Sequence, residues 1–280
     1  MNSDTSGNNA LSIDIEKVIR EKNAALADRL PRFVIDYAKK KLHQDEINGL
    51  LLKNKDYTGV DFATHILSDL NISYKVHRKC EIDPSRRYVF VSNHPLGGLD
   101  GMILISYIGN TFGNVRFIVN DLLMHIKPLS PVFVPVNKFG RMRHDNTSLF
   151  NEAFASDDQI LYFPAGLCSR LIDGRITDLE WKKTFVAKAI ESKRDIVPMF
   201  FSGENSRFFY RLEKFRRKIG IKVNIGMFLL PDEMFKKKNS SFDLYLGEPI
   251  PYTSLTGEKT HKEWCETIRK KCYETCNTTG

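Results

Sequence analysis

The stretch Arg87-Tyr-Val-Phe-Val-Ser-Asn-His-Pro-Leu-Gly-Gly-Leu-Asp-Gly101 decides how this chain is read. Tyr88 to Val91 is a short β-branched and aromatic run of the kind that forms a buried strand, and it ends abruptly at Ser92-Asn93-His94-Pro95. A histidine is thereby delivered to a strand end. Pro95 disfavours the helical conformation at His94, and Gly97-Gly98 permits a tight loop before Asp100, Gly101 and the apolar run Met102 to Ile108 begin a helix. Asp100 is the expected N-cap of that helix. Residues six apart on one helix point to different sides, so His94 and Asp100 can meet only if the segment between them is a loop. Such a pair is an imidazole held in one tautomer by a carboxylate, able to take a proton from a hydroxyl or amine. A plainer reading, in which Asp100 only caps a helix and His94 is a polar loop residue, fits these residues equally well.

The 280 residues, 42% hydrophobic and 27% charged, suffice for one large α/β domain with a helical extension. No apolar run approaches the length of a membrane span. The N-terminus MNSDTSGNNA lacks the blocks of a secretory signal, and residues 1–11 read as a disordered tail. Cys80, Cys168, Cys265, Cys272 and Cys276 are odd in number and show no paired metal spacing, which argues for a reducing compartment and against a zinc site. The net charge of +8 asks for an anionic partner: a membrane surface, a nucleic acid or an acidic carrier.

Residues 12–71 are expected to be helical. Ile15, Val18, Ile19, Leu26 and Leu30 mark one face of a helix over Ser12 to Leu30, ended by Pro31. Val34, Tyr37, Ala38 and Leu42 mark a second over Arg32 to Leu42, and Phe62, Ala63, Ile66, Leu67 and Leu70 mark a third. These faces are expected to pack on the domain more than on a membrane. From residue 72 to 280 strand-like and helix-like stretches alternate, which implies a largely parallel central sheet flanked by helices. Strands are expected at Ile72 to Val76, Tyr88 to Val91, Val115 to Val119, Val132 to Val136, Ile160 to Phe163, Ile196 to Phe201, Lys222 to Phe228 and Asp243 to Leu246. Helices are expected at Met102 to Ile108, Thr147 to Ala155, Trp181 to Ser192 and Phe208 to Ile219. In such sheets ligands sit at the strands' carboxyl ends, where Asn93-His94 and Pro164-Ala165-Gly166 fall.

Four stretches in order, Asn93-His94…Asp100, Phe139-Gly-Arg-Met-Arg143, Phe163-Pro-Ala-Gly-Leu-Cys-Ser-Arg170 and Ile196-Val-Pro-Met199, resemble the motifs of the PlsC-like lysophospholipid acyltransferase superfamily. The resemblance covers about residues 88 to 250. It departs from the family pattern in having five residues rather than four between His94 and Asp100, and Ala165 in place of a glutamate. Both departures are similar to a hemolysin-like branch that includes bacterial ornithine-lipid and glycine-lipid O-acyltransferases. The resemblance implies a glycerol-3-phosphate acyltransferase-like α/β fold. It also implies direct transfer of an acyl chain from an acyl carrier protein or coenzyme A thioester to the hydroxyl of a lyso-lipid, aminolipid or lysophosphatidate-like, with no bound cofactor. His94 is then the base and Asp100 its orienter.

Asn93, or the backbone around Gly97 and Gly98, is a candidate oxyanion donor. Arg141, Arg143 and Arg170 are candidates for the acceptor's carboxylate or phosphate, because a guanidinium matches such groups in bidentate fashion. Phe163, Pro164, Gly166 and Ser169 are expected to shape the pocket. Cys168 lies in a turn after a strand, but its neighbours offer no base, so a packed, inert thiol is favoured over a nucleophile.

Arg207 to Ile219 carries Phe208, Leu212, Phe215 and Ile219 on one face among six cations. It fits either a docking helix for anionic lipid or acidic carrier protein, or a core helix with a basic back, and Lys236-Lys-Lys238 is expected to add to the same field. The expected setting is cytoplasmic, peripheral on the inner face of the cell membrane. Against this stand a non-catalytic lipid- or anion-binding protein of the same fold, and a nucleic-acid binder, for which no helix-turn-helix or zinc-finger pattern speaks.

Overall fold

Helices α1 (Ile15–Lys22), α2 (Ala24–Arg29), α3 (Arg32–Lys41), α4 (Gln44–Lys53) and α5 (Gly59–Asp69) precede the first strand. The structure, a computed structural model, describes residues 12–22, 24–120, 123–124, 126–136, 144–220 and 225–278. The single helix expected over Ser12 to Leu30 is two, α1 and α2. On α3 the packed residue is Ile35, while Tyr37, expected on the packed face, is exposed. Helix α4 falls within the region expected to be helical, but no spacing of its own marks it out, because its apolar residues crowd into its second half and only Leu51 is fully buried. Helix α5 buries Phe62, Ala63, Ile66 and Leu67, as its spacing predicts, and thereby joins the core of the sheet.

The α/β part follows as β1 (Ser73–Arg78), β2 (Tyr88–Ser92), α6 (Gly98–Phe112), β3 (Val115–Asn120), β4 (Phe133–Val136), α7 (His144–Ala155), β5 (Gln159–Tyr162), β6 (Arg170–Ile172), β7 (Arg175–Thr177) and α8 (Thr184–Glu191). It continues through β8 (Asp195–Phe201), α9 (Arg207–Lys218), α10 (Leu230–Phe235), β9 (Ser241–Leu246) and α11 (His261–Glu274). Seven strands make the main sheet in the order β1-β9-β8-β2-β5-β3-β4. Every neighbouring pair in it is parallel except β8 with β9. The largely parallel sheet expected from the alternation is what forms.

Central strand β2 is buried along its whole length, and its side chains alternate between two cores. Tyr88 and Phe90 join α5 and α6 on one face, while Val89 and Val91 join Phe150 and Phe154 of α7, Phe185 of α8 and Ile268 of α11 on the other. Helix α6 lies close to α5, where Gly109 leaves room for Val60 and the Thr64 and Ser106 hydroxyls meet at 2.8 Å. At the amino ends of the strands, the fully buried Arg194 donates to the carbonyls of Phe154 (3.0 Å), Asp158 (2.8 Å) and Ser156. Burial pulls its pKa down to about 10.

The strand expected over Lys222 to Phe228 does not form among its described residues: Ile225–Leu229 is a 3₁₀ turn. Its backbone is used differently, since Gly226 N–H donates to buried Glu213 at 2.8 Å and a Cβ there would collide with that carboxylate. An unforeseen two-stranded hairpin, β6 with β7, turns at Asp173-Gly174, both at positive φ.

Candidate active site

Ser92 closes β2, and the next residue ties the strand end to its neighbour. Buried Asn93 accepts the Phe201 N–H at 2.7 Å and donates to the Phe201 carbonyl at 3.0 Å, extending the β2–β8 pairing by one step. Its carboxamide oxygen and one of its two N–H donors are thereby engaged with the sheet.

His94 is held on every side. Its N–H donates to Asp178 Oδ1 (3.2 Å), its carbonyl accepts from Ser169 N–H (2.7 Å), and its ring stacks on Phe163 with centroids 4.0 Å apart. Nδ1 lies 3.0 Å from Asp100 Oδ2, and the His94 side chain keeps 15% of its surface exposed while that of Asp100 keeps none. Asp100 also accepts Leu96 N–H and Gly101 N–H, each at 2.9 Å. A carboxylate already accepting two N–H groups accepts from Nδ1–H as well, and Nε2 keeps its lone pair.

Asp100 is not the N-cap. The helix begins two residues earlier, at Gly98, with Gly97 as cap residue at φ 87°, and Asp100 reaches back from the first turn to the Leu96 N–H. Gly97 makes the return that brings the pair together. A Cβ there would lie 2.8 Å from Leu230 and 3.1 Å from Cys168 Sγ, besides forcing the backbone into a region that side chains disfavour. The five-residue spacing is thus absorbed by a turn that requires glycine. Gly98 opens α6, where first-turn N–H groups have no acceptor within the helix.

After β5, Phe163 supplies the ring under His94. The Pro164 carbonyl accepts from Lys182 N–H at 3.0 Å, and Gly166, at φ 64°, turns the chain back so that its N–H meets the Phe163 carbonyl at 3.0 Å. Ala165 is buried among the apolar residues below the sheet.

Asp178 was not foreseen. This buried carboxylate accepts from the Ser169 hydroxyl (2.5 Å), Trp181 Nε1 (2.8 Å) and His94 N–H, while its own N–H donates to the Tyr273 hydroxyl at 2.9 Å. Burial raises its pKa against the three hydrogen bonds. The Asp173-Gly174 turn signal marks the hairpin that Asp178 follows, but nothing local points to the histidine it serves. Asn205, also unforeseen, donates from Nδ2 to the Pro95 carbonyl at 3.1 Å.

The profile of a family described as Acyltransferase matches residues 17–279. The chain belongs to this acyltransferase family. It is 44% identical over 263 residues to the lyso-glycine lipid O-acyltransferase of Bacteroides thetaiotaomicron, covering 94% of this chain and 97% of that one. It is 43% identical over 263 residues to the protein of the same name from Phocaeicola vulgatus, covering 94% of each. Among solved structures, the crystal structure of the 1-acyl-sn-glycerophosphate acyltransferase PlsC from Thermotoga maritima is similar with a TM-score of 0.48. That likeness spans 89% of this chain and 90% of that one at 14% identity.

In this acyltransferase Cys168 is buried beneath Gly97, and burial together with the Asp100 charge pushes its thiol up to about 12. A thiol so poised is protonated at neutral pH and makes no nucleophile, as its neighbours suggest. Ser169 gives its hydroxyl to Asp178 and its N–H to His94, so it positions the histidine rather than lining open space.

Arg170 is buried. Its Nε lies 3.2 Å from Glu213, its Nη1 donates to the Cys168 carbonyl at 2.7 Å, and its guanidinium sits 5.5 Å from the centre of the Phe209 ring. It fastens the loop after β5 to α9. Burial opposes ionisation of Glu213, but the Arg216 hydrogen bond and the charges of Arg170 and Arg216 hold its carboxyl below the usual range. A cavity of about 560 Å³ opens beside this pair, between the β6–β7 hairpin and α9. Arg141 and Arg143 lie outside the described residues. Lys236 pairs with Asp232 (2.7 Å) and Glu233 (2.8 Å), so it does not contribute a free charge as expected of the lysine run. Among the described residues no helix is long and apolar enough to cross a membrane, and no group of His, Cys, Asp and Glu could hold a metal ion.

Proposed function

We propose that this acyltransferase moves a fatty acyl chain from an acyl carrier protein or coenzyme A thioester to the hydroxyl of a lyso-glycine lipid, with His94 as general base. The observation that supports it most is the 3.0 Å contact between His94 Nδ1 and buried Asp100, in a chain 44% identical to a lyso-glycine lipid O-acyltransferase across nearly its full length. Asp100 fixes the tautomer, so Nε2 takes the proton of the acceptor hydroxyl as its oxygen attacks the thioester carbonyl. The carbon–sulfur bond then breaks, and the imidazolium returns the proton to the departing thiolate. A base so placed contributes on the order of 10² to 10⁴ in rate, and the positioning of acceptor and thioester supplies the rest.

The N–H groups at Gly97 and Gly98, at the open end of α6, are the donors we assign to the developing oxyanion. We assign Arg141 and Arg143 to the acceptor's carboxylate; Arg170 is engaged with Glu213 and the Cys168 carbonyl and holds the loop that carries Ser169. The protein works at the cytoplasmic face of the membrane that carries its acceptor, and residues 72–280 form the catalytic domain behind the helical region 12–71.

The test is product identification. Purified protein, acyl thioester and lyso-glycine lipid are incubated and the lipids weighed by mass spectrometry. A diacylated glycine lipid, with lysophosphatidate left untouched, is the expected result. Acylation of lysophosphatidate in its place would overturn the acceptor assignment.

A further inference from the structure

The segment Arg207–Lys218 leaves its apolar stripe in solvent. Phe208, Phe215 and Ile219 are 57%, 59% and 51% exposed, with half-buried Leu212 between them, and Phe228 of the neighbouring 3₁₀ turn is 54% exposed. The helix is held to the body by a different arc, that of Phe209, Tyr210 and Glu213, all buried. The reading of α9 as a core helix with a basic back is thereby corrected: its packed face is not its apolar stripe.

The remaining arc carries Arg207, Arg211, Lys214, Arg217 and Lys218, all exposed. Glu213, the one acidic residue of the helix, is turned inward and bonded to Arg170 and Arg216. The outward side of α9 is therefore a strip of large apolar side chains beside a strip of positive charge that forms no ion pair among the described residues. That is the pattern of a helix that lies in the headgroup layer of an anionic bilayer, apolar side inserted and cations against lipid phosphates.

Its placement suits a lipid acceptor. Asn205, one residue before the Ser206 cap, bonds the Pro95 carbonyl next to His94, and Glu213 in mid-helix holds Arg170, one residue beyond the Ser169 that bonds the His94 carbonyl. The helix is bolted to the loop that carries the base. We infer that the exposed face of α9, with Phe228, is the surface by which this acyltransferase docks on an anionic membrane and brings His94 to a lipid acceptor. This inference rests on the lipid-acceptor reading for its purpose, but not for its test.

Vesicle binding is measured without any acyl donor, and turnover separately with an acyl thioester. Wild type and a Phe208→Ser/Phe215→Ser variant are sedimented with vesicles of phosphatidylcholine containing 30% phosphatidylglycerol, and with vesicles of phosphatidylcholine alone. Wild type is expected to bind the anionic vesicles, to release them in 0.5 M salt, and to ignore the neutral ones. The variant is expected to lose at least tenfold in affinity while keeping wild-type turnover on a short-chain, monomeric acceptor. Equal binding by variant and wild type overturns the inference, as does wild type that binds neither vesicle. So does a variant whose only loss is affinity for acyl carrier protein, or the conversion of a wild-type dimer to monomer without any lipid effect. Failure of transfer to lyso-glycine lipid by vesicle-bound wild type would instead count against the proposed acceptor and leave the docking face standing.

Discussion

Two buried carboxylates hold His94, Asp100 at its ring and Asp178 at its backbone N–H. His94 and Asp100 were legible because they stand six residues apart in one short stretch, with the glycines that bring the strand end and the helix start together between them. Asp178 was not, because the contact it makes with His94 joins residues 84 apart, and only the hairpin brings them together. A buried carboxylate that fixes the His94 backbone acts, under the proposed mechanism, on the position of the base rather than on the substrate. Asp178→Asn is accordingly expected to lower kcat about tenfold or more with KM little changed, and Asp178→Glu to recover part of the loss. An increase in KM alone would contradict this. Cys168→Ala tests the opposite kind of neighbour. With its thiol at about 12, the substitution should leave turnover within threefold of wild type and cost about 1 kcal/mol in urea unfolding for the lost packing. Abolished transfer would reinstate a nucleophile.

Among elements, the strands that alternate apolar and polar residues or run apolar throughout were found to within a residue or two, because period-two patterning reports a sheet directly. Two elements escaped this patterning for different reasons. Residues 225–229 look like a strand and instead wrap Glu213; α4 offers too little apolar periodicity to announce itself. Helix α6 depends on its first turn. Gly97→Ala must place a methyl group within 2.8 Å of Leu230 and hold φ at 87°, so we expect a loss of about 2 kcal/mol in urea unfolding and a larger fall in kcat than Gly98→Ala, whose Cβ meets nothing within 4 Å. Equal effects of the two substitutions would remove Gly97 from the account.

Across the whole molecule, sheet topology was partly visible: alternation announced a parallel sheet, but nothing local announced that β9 reverses against β8. The way the N-terminal helices fasten to the α/β body was also hidden. Asp232 of α10 accepts from Lys41 (2.7 Å) and His43 (3.2 Å) beside α3, while Glu233 beside it binds the Ser206 cap of α9. Burial opposes ionisation of Asp232, but hydrogen bonds from Lys236, Lys41 and His43 outweigh it and bring its pKa to about 2. A carboxyl lowered on folding stabilises the fold above its unfolded pKa of about 4, and that contribution fades as the pH falls toward 2. Wild type should therefore exceed Asp232→Asn by about 2 kcal/mol from pH 5 to 7, with the gap closing between pH 4 and 2 in thermal melts. A gap that stays constant to pH 2 would contradict the linkage.

Turnover itself rests on one claim, that the Nε2 atom of His94 receives the acceptor's proton with Asp100 behind it. The rate of acyl transfer by His94→Ala, measured against wild type at matched thermal stability and saturating thioester, tests it most directly. A fall in kcat of about 10² to 10⁴ is predicted; a rate within threefold of wild type would contradict it.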